Sequence, residues 1–199
     1  KDLDNVGLSW SGYADYKDMW TVDVFDIFND SYGVEKNNIS KEYIESSEKL
    51  NPSNRDNIIG IQSQIWSETI RNEDILYYMF MPNIIVFSQK ACSQDPEWMK
   101  ISDKTKREFT LEFEWNKFTN TIGQRVLPII DNIYGGLSYD LPKPGGIIKN
   151  DSLYANSVFP GLNIKYTLDG SLPDNESMNY NSPVKLNQDD IVNLRLFDN

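Results

Sequence analysis

One stretch decides the predicted fold, IIGIQSQIWSETIRNEDILYYMFMPNII at residues 58–85. Its first part, 58–66, is apolar and rich in isoleucine, which predicts a β-strand. Polar residues follow, and then a helix is predicted with Asn72 as its N-cap and with Glu73 and Asp74 in its first turn. A strand followed by a helix is one βα unit of a parallel sheet, so this stretch predicts an α/β fold.

Three neighbouring segments complete this helical part of the chain. Pro82 lies inside the apolar pattern of the predicted helix, and we expect it to kink the helix or divide it, because proline lacks a backbone N–H. Upstream, KEYIESSEKL at 41–50 predicts a helix, and WTVDVFDIF at 20–28 alternates between apolar and polar residues as a short extended segment does. Downstream, a long helix is predicted from Asp103 to about Asp131, with an apolar stripe made by Phe109, Phe113, Phe118, Ile122, Val126, Ile129 and Ile130.

The pattern changes after this helix, which Gly135 and Gly136 are expected to end. From Leu137 onward, short extended runs alternate with turn signals, at a spacing typical of an all-β sandwich: SLYANSVF, LNIKYTL, PVKLN and IVNLRLF. The dipeptide Asp169-Gly170 predicts a turn in which the glycine takes a positive φ. We therefore expect a domain boundary near Ser138, which divides the chain into residues 1–137 and 138–199.

Composition limits the chemistry. The 199 residues include 30 acidic and 19 basic side chains, and the net charge of −11 argues against nucleic acid or an anionic membrane as the main partner. No apolar run approaches the roughly 20 residues that cross a bilayer.

The absence of histidine excludes Ser-His and Cys-His nucleophile pairs made by this chain alone. The single cysteine, Cys92, excludes an internal disulfide, and we expect it to pack as a small apolar side chain.

Local chemistry points to Trp66-Ser67-Glu68, where the predicted strand passes into its loop. Sites of α/β barrels are built on that face; a tryptophan stacks on a sugar ring, and a carboxylate accepts hydrogen bonds from two neighbouring hydroxyls. The structural alternative is a core tryptophan beside a solvated glutamate, and spacing alone favours it.

Asn-x-Ser sequons, relevant only to a eukaryotic secreted protein, stand at Asn29, Asn38, Asn150 and Asn175.

Together these segments resemble glycoside hydrolase family 20, the β-N-acetylhexosaminidases. Enzymes of that family carry a G-x-Q-x-x-x-W-x-E strand before a helix with Tyr-Met and a proline, and the pattern stands here as Gly60, Gln62, Trp66, Glu68, Tyr78, Met79 and Pro82. GLSWSGYADYKDMW at 7–20 is similar to the segment around a second pocket tryptophan, which falls on Trp10. Residues 114–146 resemble the long helix and exit of bacterial chitobiases, and the remainder is similar to their final immunoglobulin-like domain.

The resemblance implies a C-terminal part of a (β/α)8 TIM barrel, with its last strand and helices, followed by a small immunoglobulin-like β-sandwich. Trp66 and Trp10 would wall the pocket for a terminal N-acetylhexosamine, and Glu68 would accept hydrogen bonds from its ring hydroxyls. In the family's substrate-assisted mechanism, the acetamido oxygen of the sugar attacks the anomeric carbon. The family's catalytic Asp-Glu pair belongs to an upstream strand that nothing here matches. This chain is therefore expected to hold no catalytic residue, metal or cofactor.

A complete barrel needs about 200 residues or more, so residues 1–137 are too few. We expect the N-terminal remainder of the same protein, as a second chain or a missing segment, to be a partner without which residues 1–137 are not stable, because an isolated βα unit exposes a strand edge and an apolar helix face. The expected ligand is an N-acetylglucosamine-containing glycan, and the expected location is secreted, periplasmic or cell-surface.

The chain also departs from the family pattern. Pro82-Asn83 and Ser88-Gln89-Lys90-Ala91-Cys92 stand where the family usually has Pro-Arg and Ala-Glu-Arg-Ala-Trp. Losing the Arg and the Glu together resembles the concerted loss of a buried ion pair, which can leave stability nearly unchanged. Two alternatives stay open: a non-catalytic divergent member that binds N-acetylglucosamine glycans or serves as a structural module, and an immunoglobulin-like interaction domain with a helical stalk.

Overall fold

Residues 15–26 and 40–197 are described by a computed structural model of the chain. The chain divides into two compact units, Lys1–Pro96 and Glu97–Asn199. The predicted site residue Trp10, the sequons at Asn29 and Asn38, and the end of the predicted extended segment lie outside the described residues. The expected boundary near Ser138 falls within the second unit and stays a prediction.

The first unit is helical in its described part. Its buried side chains include Tyr16, Trp20 and Val86, which lie where the first and last of its α-helices pack together. The helices are α1 (Tyr16–Thr21), α2 (Lys41–Ser46), α3 (Glu73–Phe80) and α4 (Asn83–Cys92), with a 3-10 turn at Pro52–Asn57.

Capping decides where these helices begin. The Asp15 carboxylate accepts the backbone N–H groups of Lys17 and Asp18 at 2.8 and 3.1 Å, which starts α1. Trp20 and Thr21 therefore end a helix, and the prediction of an extended segment from residue 20 was wrong for them. The helix predicted over 41–50 is confirmed, although it ends at Ser46.

The helix predicted after the polar stretch is confirmed in detail. Asn72 caps α3 by accepting the N–H of Ile75 at 2.9 Å, and Glu73 and Asp74 lie in the first turn. Pro82 divides the helical stretch as expected, since α3 ends at Phe80 and α4 begins at Asn83.

The prediction of a β-strand at 58–66 was wrong. No β-strand forms there, and Ile59 and Trp66 are 98% and 68% exposed. A strand exists through hydrogen bonds to a neighbouring strand, and the described residues of this unit supply none beside the segment. Within the described residues of this unit, helices are thus present without the sheet of an α/β barrel, and the barrel assignment stays a prediction. Cys92 is exposed at the end of α4, so the expectation that it packs inside was also wrong.

The second unit begins with the predicted long helix, which is confirmed. A 3-10 turn at Glu97–Lys100 packs on α5 (Lys104–Thr121), and a π-helical turn at Ile122–Val126 joins α5 to α6 (Leu127–Ile130). The Asp103 carboxylate caps α5 by accepting the N–H of Lys106 at 2.7 Å. Among the helices of the described residues, none is long and apolar enough to cross a membrane.

The apolar stripe of this helix agrees with the predicted one only in part: Ile122 and Ile130 are buried as predicted, whereas the N-terminal half of α5 buries a different face. Leu111, Trp115 and Ile122 are buried, whereas Phe109 and Phe113 are 74% and 64% exposed. The buried set repeats at regular helical spacing with Thr119, while the predicted set needed a five-residue step. The π-helical turn then adds a residue to the register, which places Ile130 inside and leaves Ile129 57% exposed.

Two three-stranded antiparallel sheets follow, and they agree with the predicted β part of the fold class. The four predicted runs all contain strands, and two strands were missed because glycines and a short length hid them. The strands are β1 (Gly145–Lys149), β2 (Ser152–Asn156), β3 (Asn163–Thr167), β4 (Met178–Asn179), β5 (Val184–Lys185) and β6 (Asn193–Phe197). The strand orders are β1-β2-β5 and β4-β3-β6.

Several glycines of the second unit take positive φ angles, which favour glycine over other residues. Gly135 and Gly136 take φ of 85° and 96° and end a separate 3-10 turn, Ile133–Gly135. The long helix itself ends earlier, at Ile130, so the prediction that these glycines end it was wrong. Gly170 takes φ 80°, as the Asp-Gly turn required. The immunoglobulin-like label for this arrangement stays a prediction.

One core joins the long helix to the sheets within the second unit. Phe159, from the loop between β2 and β3, is fully buried, as are Ile122 and Leu127. A Cβ atom on Gly123 would lie 3.0 Å from the carbonyl oxygen of Pro160, so helix and loop are in close contact at the π-helical turn. The helix and the β part therefore stabilise each other.

Two phenylalanines test this account. Phe159→Ala should lower the free energy of unfolding of the second unit by about 3–5 kcal/mol, because the ring is fully buried and leaves a cavity. Phe113→Ala, the matched control on the exposed face of α5, should change it by less than about 0.5 kcal/mol. Urea unfolding of both variants measures the difference, and equal losses would contradict the assignment of the buried face.

A carboxyl on α5 gives a pH prediction. Burial, and then the nearby charge of Glu97, raise the pKa of Glu114 above its ordinary value of 4.5, while Lys117 acts in the opposite direction. The folded chain thus binds this proton more tightly than the unfolded chain, so ionisation of Glu114 lowers stability as the pH rises through its raised pKa. Glu114→Gln should raise the free energy of unfolding at pH 7, and the gain should vanish below pH 4.5. A gain independent of pH would contradict this.

Candidate functional site

Trp66 and Glu68 lie in the segment that leads into α3. The Trp66 side chain is 68% exposed and that of Glu68 is exposed. Trp66 is therefore not a core residue of this unit, contrary to the structural alternative. An indole at this exposure offers most of its surface to a ligand or to another part of a protein.

The turn after Trp66 is held by its own hydrogen bonds. The N–H of Ile70 donates to the carbonyl of Ser67 at 3.1 Å, and the Arg71 guanidinium donates to the carbonyl of Glu68 at 2.8 Å. The Thr69 hydroxyl contacts the Met79 sulfur at 3.9 Å, which connects the turn to α3. The backbone around Glu68 is thereby held as a turn that contacts α3, and Trp66 lies directly before this turn.

The Glu68 carboxylate is available for a ligand. Across residues 15–26 and 40–197, no side-chain hydrogen bond or ion pair engages it, and the neighbouring Arg71 is turned to the backbone carbonyl. An unengaged carboxylate accepts hydrogen bonds from vicinal hydroxyls, and the indole two residues earlier stacks on an apolar ring face. The pair suits binding and orientation of a polyhydroxylated ring. Trp10, the third predicted site residue, lies outside the described residues, so its position relative to this pair stays a prediction.

Sequence reasoning missed a surface groove on α4. The groove measures about 600 Å³ and is lined by Ile84, Ile85, Ser88, Gln89, Cys92 and Ser93. Its polar members are typical of a solvated helix face, which is why the sequence alone gave no signal. Three of them, Ser88, Gln89 and Cys92, stand where the chain departs from the family pattern. Asn83, at the start of the same helix, has a buried side-chain oxygen that has no hydrogen-bond partner among residues 15–26 and 40–197.

Comparison with known proteins bears on the C-terminal part most directly. Residues 127–199 match the family model described as the chitobiase/beta-hexosaminidase C-terminal domain. The N,N'-diacetylchitobiase of Vibrio harveyi is 32% identical over 120 residues, which cover 56% of this chain and 13% of that relative. The beta-hexosaminidase of Vibrio vulnificus is 28% identical over 134 residues, covering 56% of this chain and 15% of that relative. The chain thus spans a small part of the length of these relatives, and the predicted resemblance is confirmed.

Removal of the Asn72 cap tests how the site turn is supported. Asn72→Ala leaves the Ile75 N–H without its acceptor and should weaken α3 by about 0.5–2 kcal/mol. Hydrogen exchange should then accelerate at the amides of Ile75 and Leu76, whereas Asn72→Asp, which keeps a side-chain acceptor, should retain their protection. Unchanged exchange in the alanine variant would show that the cap does not hold this turn of the helix.

Proposed function

We propose that the chain, which is similar to the C-terminal part of chitobiases and beta-hexosaminidases, is a C-terminal portion of a glycoside hydrolase family 20 enzyme. In this proposal it supplies one wall of the sugar pocket of an exo-β-N-acetylhexosaminidase. The substrate is a glycan that ends in β-linked N-acetylhexosamine. The observation that carries the proposal is the exposed Trp66 indole, two residues before the unengaged Glu68 carboxylate, whose turn contacts α3.

Each residue has a binding role. The Trp66 indole, with Trp10 as a second wall, stacks on the ring of the terminal sugar, and Glu68 accepts hydrogen bonds from its hydroxyls. These contacts hold the sugar so that its acetamido oxygen can attack the anomeric carbon in the substrate-assisted reaction. The Asp that orients the acetamido group and the Glu that acts as general acid and base come from outside this chain. This chain alone is therefore inactive.

The partner is the N-terminal remainder of the same protein. Ile59 and Trp66 are 98% and 68% exposed in a segment that has no neighbouring strand among the described residues of its unit. Exposed apolar side chains beside unpaired backbone groups are typical of a surface that another part of the protein covers. A secreted, periplasmic or cell-surface location suits an enzyme that acts on such glycans.

A second function, glycan binding without catalysis, is favoured by the start of α4. Asn83 stands where the family usually has Arg, and its buried oxygen lacks a hydrogen-bond partner in the part of the chain that the structure describes. A buried polar atom left unpaired costs about 1–3 kcal/mol, so the position is not optimised for the residue it holds. Cys92 stands where the family usually has Trp, and it lines the open groove on the same helix. Both features support a divergent member whose pocket still binds N-acetylglucosamine.

Affinity for N-acetylglucosamine tests the site in the complete protein. Trp66→Ala should weaken binding by about 1–3 kcal/mol through lost stacking, by analogy with aromatic stacking on other planar ligands. Trp66→Phe should keep most of the affinity. Tyr43→Ala, which removes another aromatic ring of the first unit that is 60% exposed, should leave it unchanged. Calorimetric titration measures all three, and an unchanged affinity in Trp66→Ala would remove Trp66 from the site.

Turnover separates the two functions. The complete protein should hydrolyse an aryl N-acetyl-β-glucosaminide if the proposal holds, and the isolated chain should not. Binding of N-acetylglucosamine without turnover by the complete protein would instead establish the non-catalytic function. Turnover by the isolated chain would contradict both the fragment assignment and the absence of a catalytic carboxyl pair.

A further inference from the structure

The edge of β1 is the feature of the second unit that the sugar-pocket proposal does not use. β1 is the outer strand of the sheet β1-β2-β5, and all five of its residues are exposed. Ile147 and Ile148 are 64% and 62% exposed, and they lie on opposite faces of the sheet. An edge that is both unpaired and apolar is open to pairing with another strand.

The backbone groups that face outward follow from the pairing on the other side. The carbonyl of Asp151 accepts the N–H of Leu186 at 2.8 Å, so Asp151 is directed away from β1, and the alternate residues of β2 are directed towards β1. In the observed register Ile147 pairs with Tyr154, one of these alternate residues, and Gly145 and Lys149 share its parity.

Gly146 and Ile148 therefore direct their N–H and C=O groups to the free edge. Within the described residues, these outward groups have no hydrogen-bond partner. A strand laid beside β1 would satisfy all of them and would extend the three-stranded sheet.

We propose that the occupant of this edge is β1 of a second copy, paired antiparallel about a two-fold axis at Ile147. In this register, Gly146 of one copy lies opposite Ile148 of the other, and the outward groups of both residues are satisfied in both copies. The two Ile147 side chains meet at the axis as a cross-strand apolar pair.

Sequence on both sides of the strand selects this register. A shift in one direction would set Pro144, which has no N–H, opposite Ile148. A shift in the other direction would require pairing with Asn150, which has φ 51° in the turn between β1 and β2. The two-fold register at Ile147 avoids both.

The side chains are self-complementary in the same register. Lys149 lies opposite Gly145, so the basic side chains of the two copies do not face each other despite lying on one short strand. Ile148 lies beside Gly146 of the other copy. There, Leu194 comes so close that a Cβ on the glycine would be 2.7 Å from its Cδ1 atom. The exposed Ile148 thus gains an apolar neighbour from the other sheet, which a partner of unrelated sequence would not place there.

The short length of β1 limits the strength of the proposed dimer. Five residues on each side bury far less than the roughly 1,200–2,000 Å² of a stable interface. The pairing should therefore be weak and dependent on concentration. Association of two acidic chains is also opposed by their net charge of −11 each, so dimerisation should strengthen as salt is added.

Sedimentation velocity of the complete protein over a concentration series tests the proposal. The dimer fraction should rise with concentration for the wild type and for Ile148→Val, and it should be lost in Ile148→Pro. Proline removes only the outward N–H of an edge residue, which the fold tolerates, so the melting temperature should stay near that of the valine control. A protein that stays monomeric at every concentration, or that binds only some other extended segment, overturns the proposal. A dimer that Ile148→Pro leaves intact does so too.

Cross-linking fixes the register and does not depend on the proline variant. In a Cys92→Ser background, which removes the exposed native thiol, Ile147→Cys should oxidise to a disulfide-linked dimer. Two residues facing each other in a non-hydrogen-bonded pair have Cα atoms about 4.5 Å apart, within the range a disulfide spans. Lys149→Cys, equally exposed but displaced from the axis, should cross-link far less. Equal cross-linking by both variants would indicate random collision and would overturn the register.

Discussion

The arrangement of the first unit depends on one constraint, that an extended segment cannot form a strand without a neighbour to bond. Residues 58–66 carry the isoleucine-rich pattern of a buried strand, yet Ile59 is almost completely exposed. Burying those side chains and pairing their backbone groups requires a surface that the described part of the unit does not provide. The same segment ends in Trp66 and is followed by Glu68. In the proposed function, the remainder of the protein supplies the rest of the pocket around these two residues.

The second unit, in contrast, buries apolar side chains of its helix and its β part in a core of its own. Its long helix places Leu111 and Trp115 inside, and the π-helical turn brings Gly123 against the loop that carries Phe159. Because the helix and the two sheets share that core, the β part is not a tethered accessory. It supports the helix that precedes it within the second unit. The edge of β1 is the place where this unit remains open.

Structural features that depend on neighbouring residues could be predicted from the sequence, whereas features that depend on contacts with distant residues could not. Asn72 and Pro82 act through groups within a few residues of themselves, so the helix start and the division between α3 and α4 could be predicted. The burial of Leu111 in place of Phe113 depends on which face of α5 meets the rest of the unit, and the π-helical turn shifts the buried face after Ile122 without any composition signal. β1 was hidden because Gly146, needed where Leu194 approaches, reads as a turn residue.

The same distinction between local and long-range features applies to the candidate site. Trp66 and Glu68 could be chosen because their residue types and spacing carry the chemistry of sugar binding, and their exposure agrees with it. The groove on α4 and the unpaired oxygen of Asn83 could not be chosen, since both depend on what surrounds the helix. They matter because, of the two functions proposed above, they favour the divergent binding protein over the active enzyme.

The most direct measurement is hydrogen exchange of the amides of residues 58–66, compared between the isolated chain and the complete protein. If this segment pairs only with strands supplied by the remainder of the protein, its amides exchange rapidly in the isolated chain and are strongly protected in the complete protein. Protection already present in the isolated chain, or rapid exchange in both, would contradict the account.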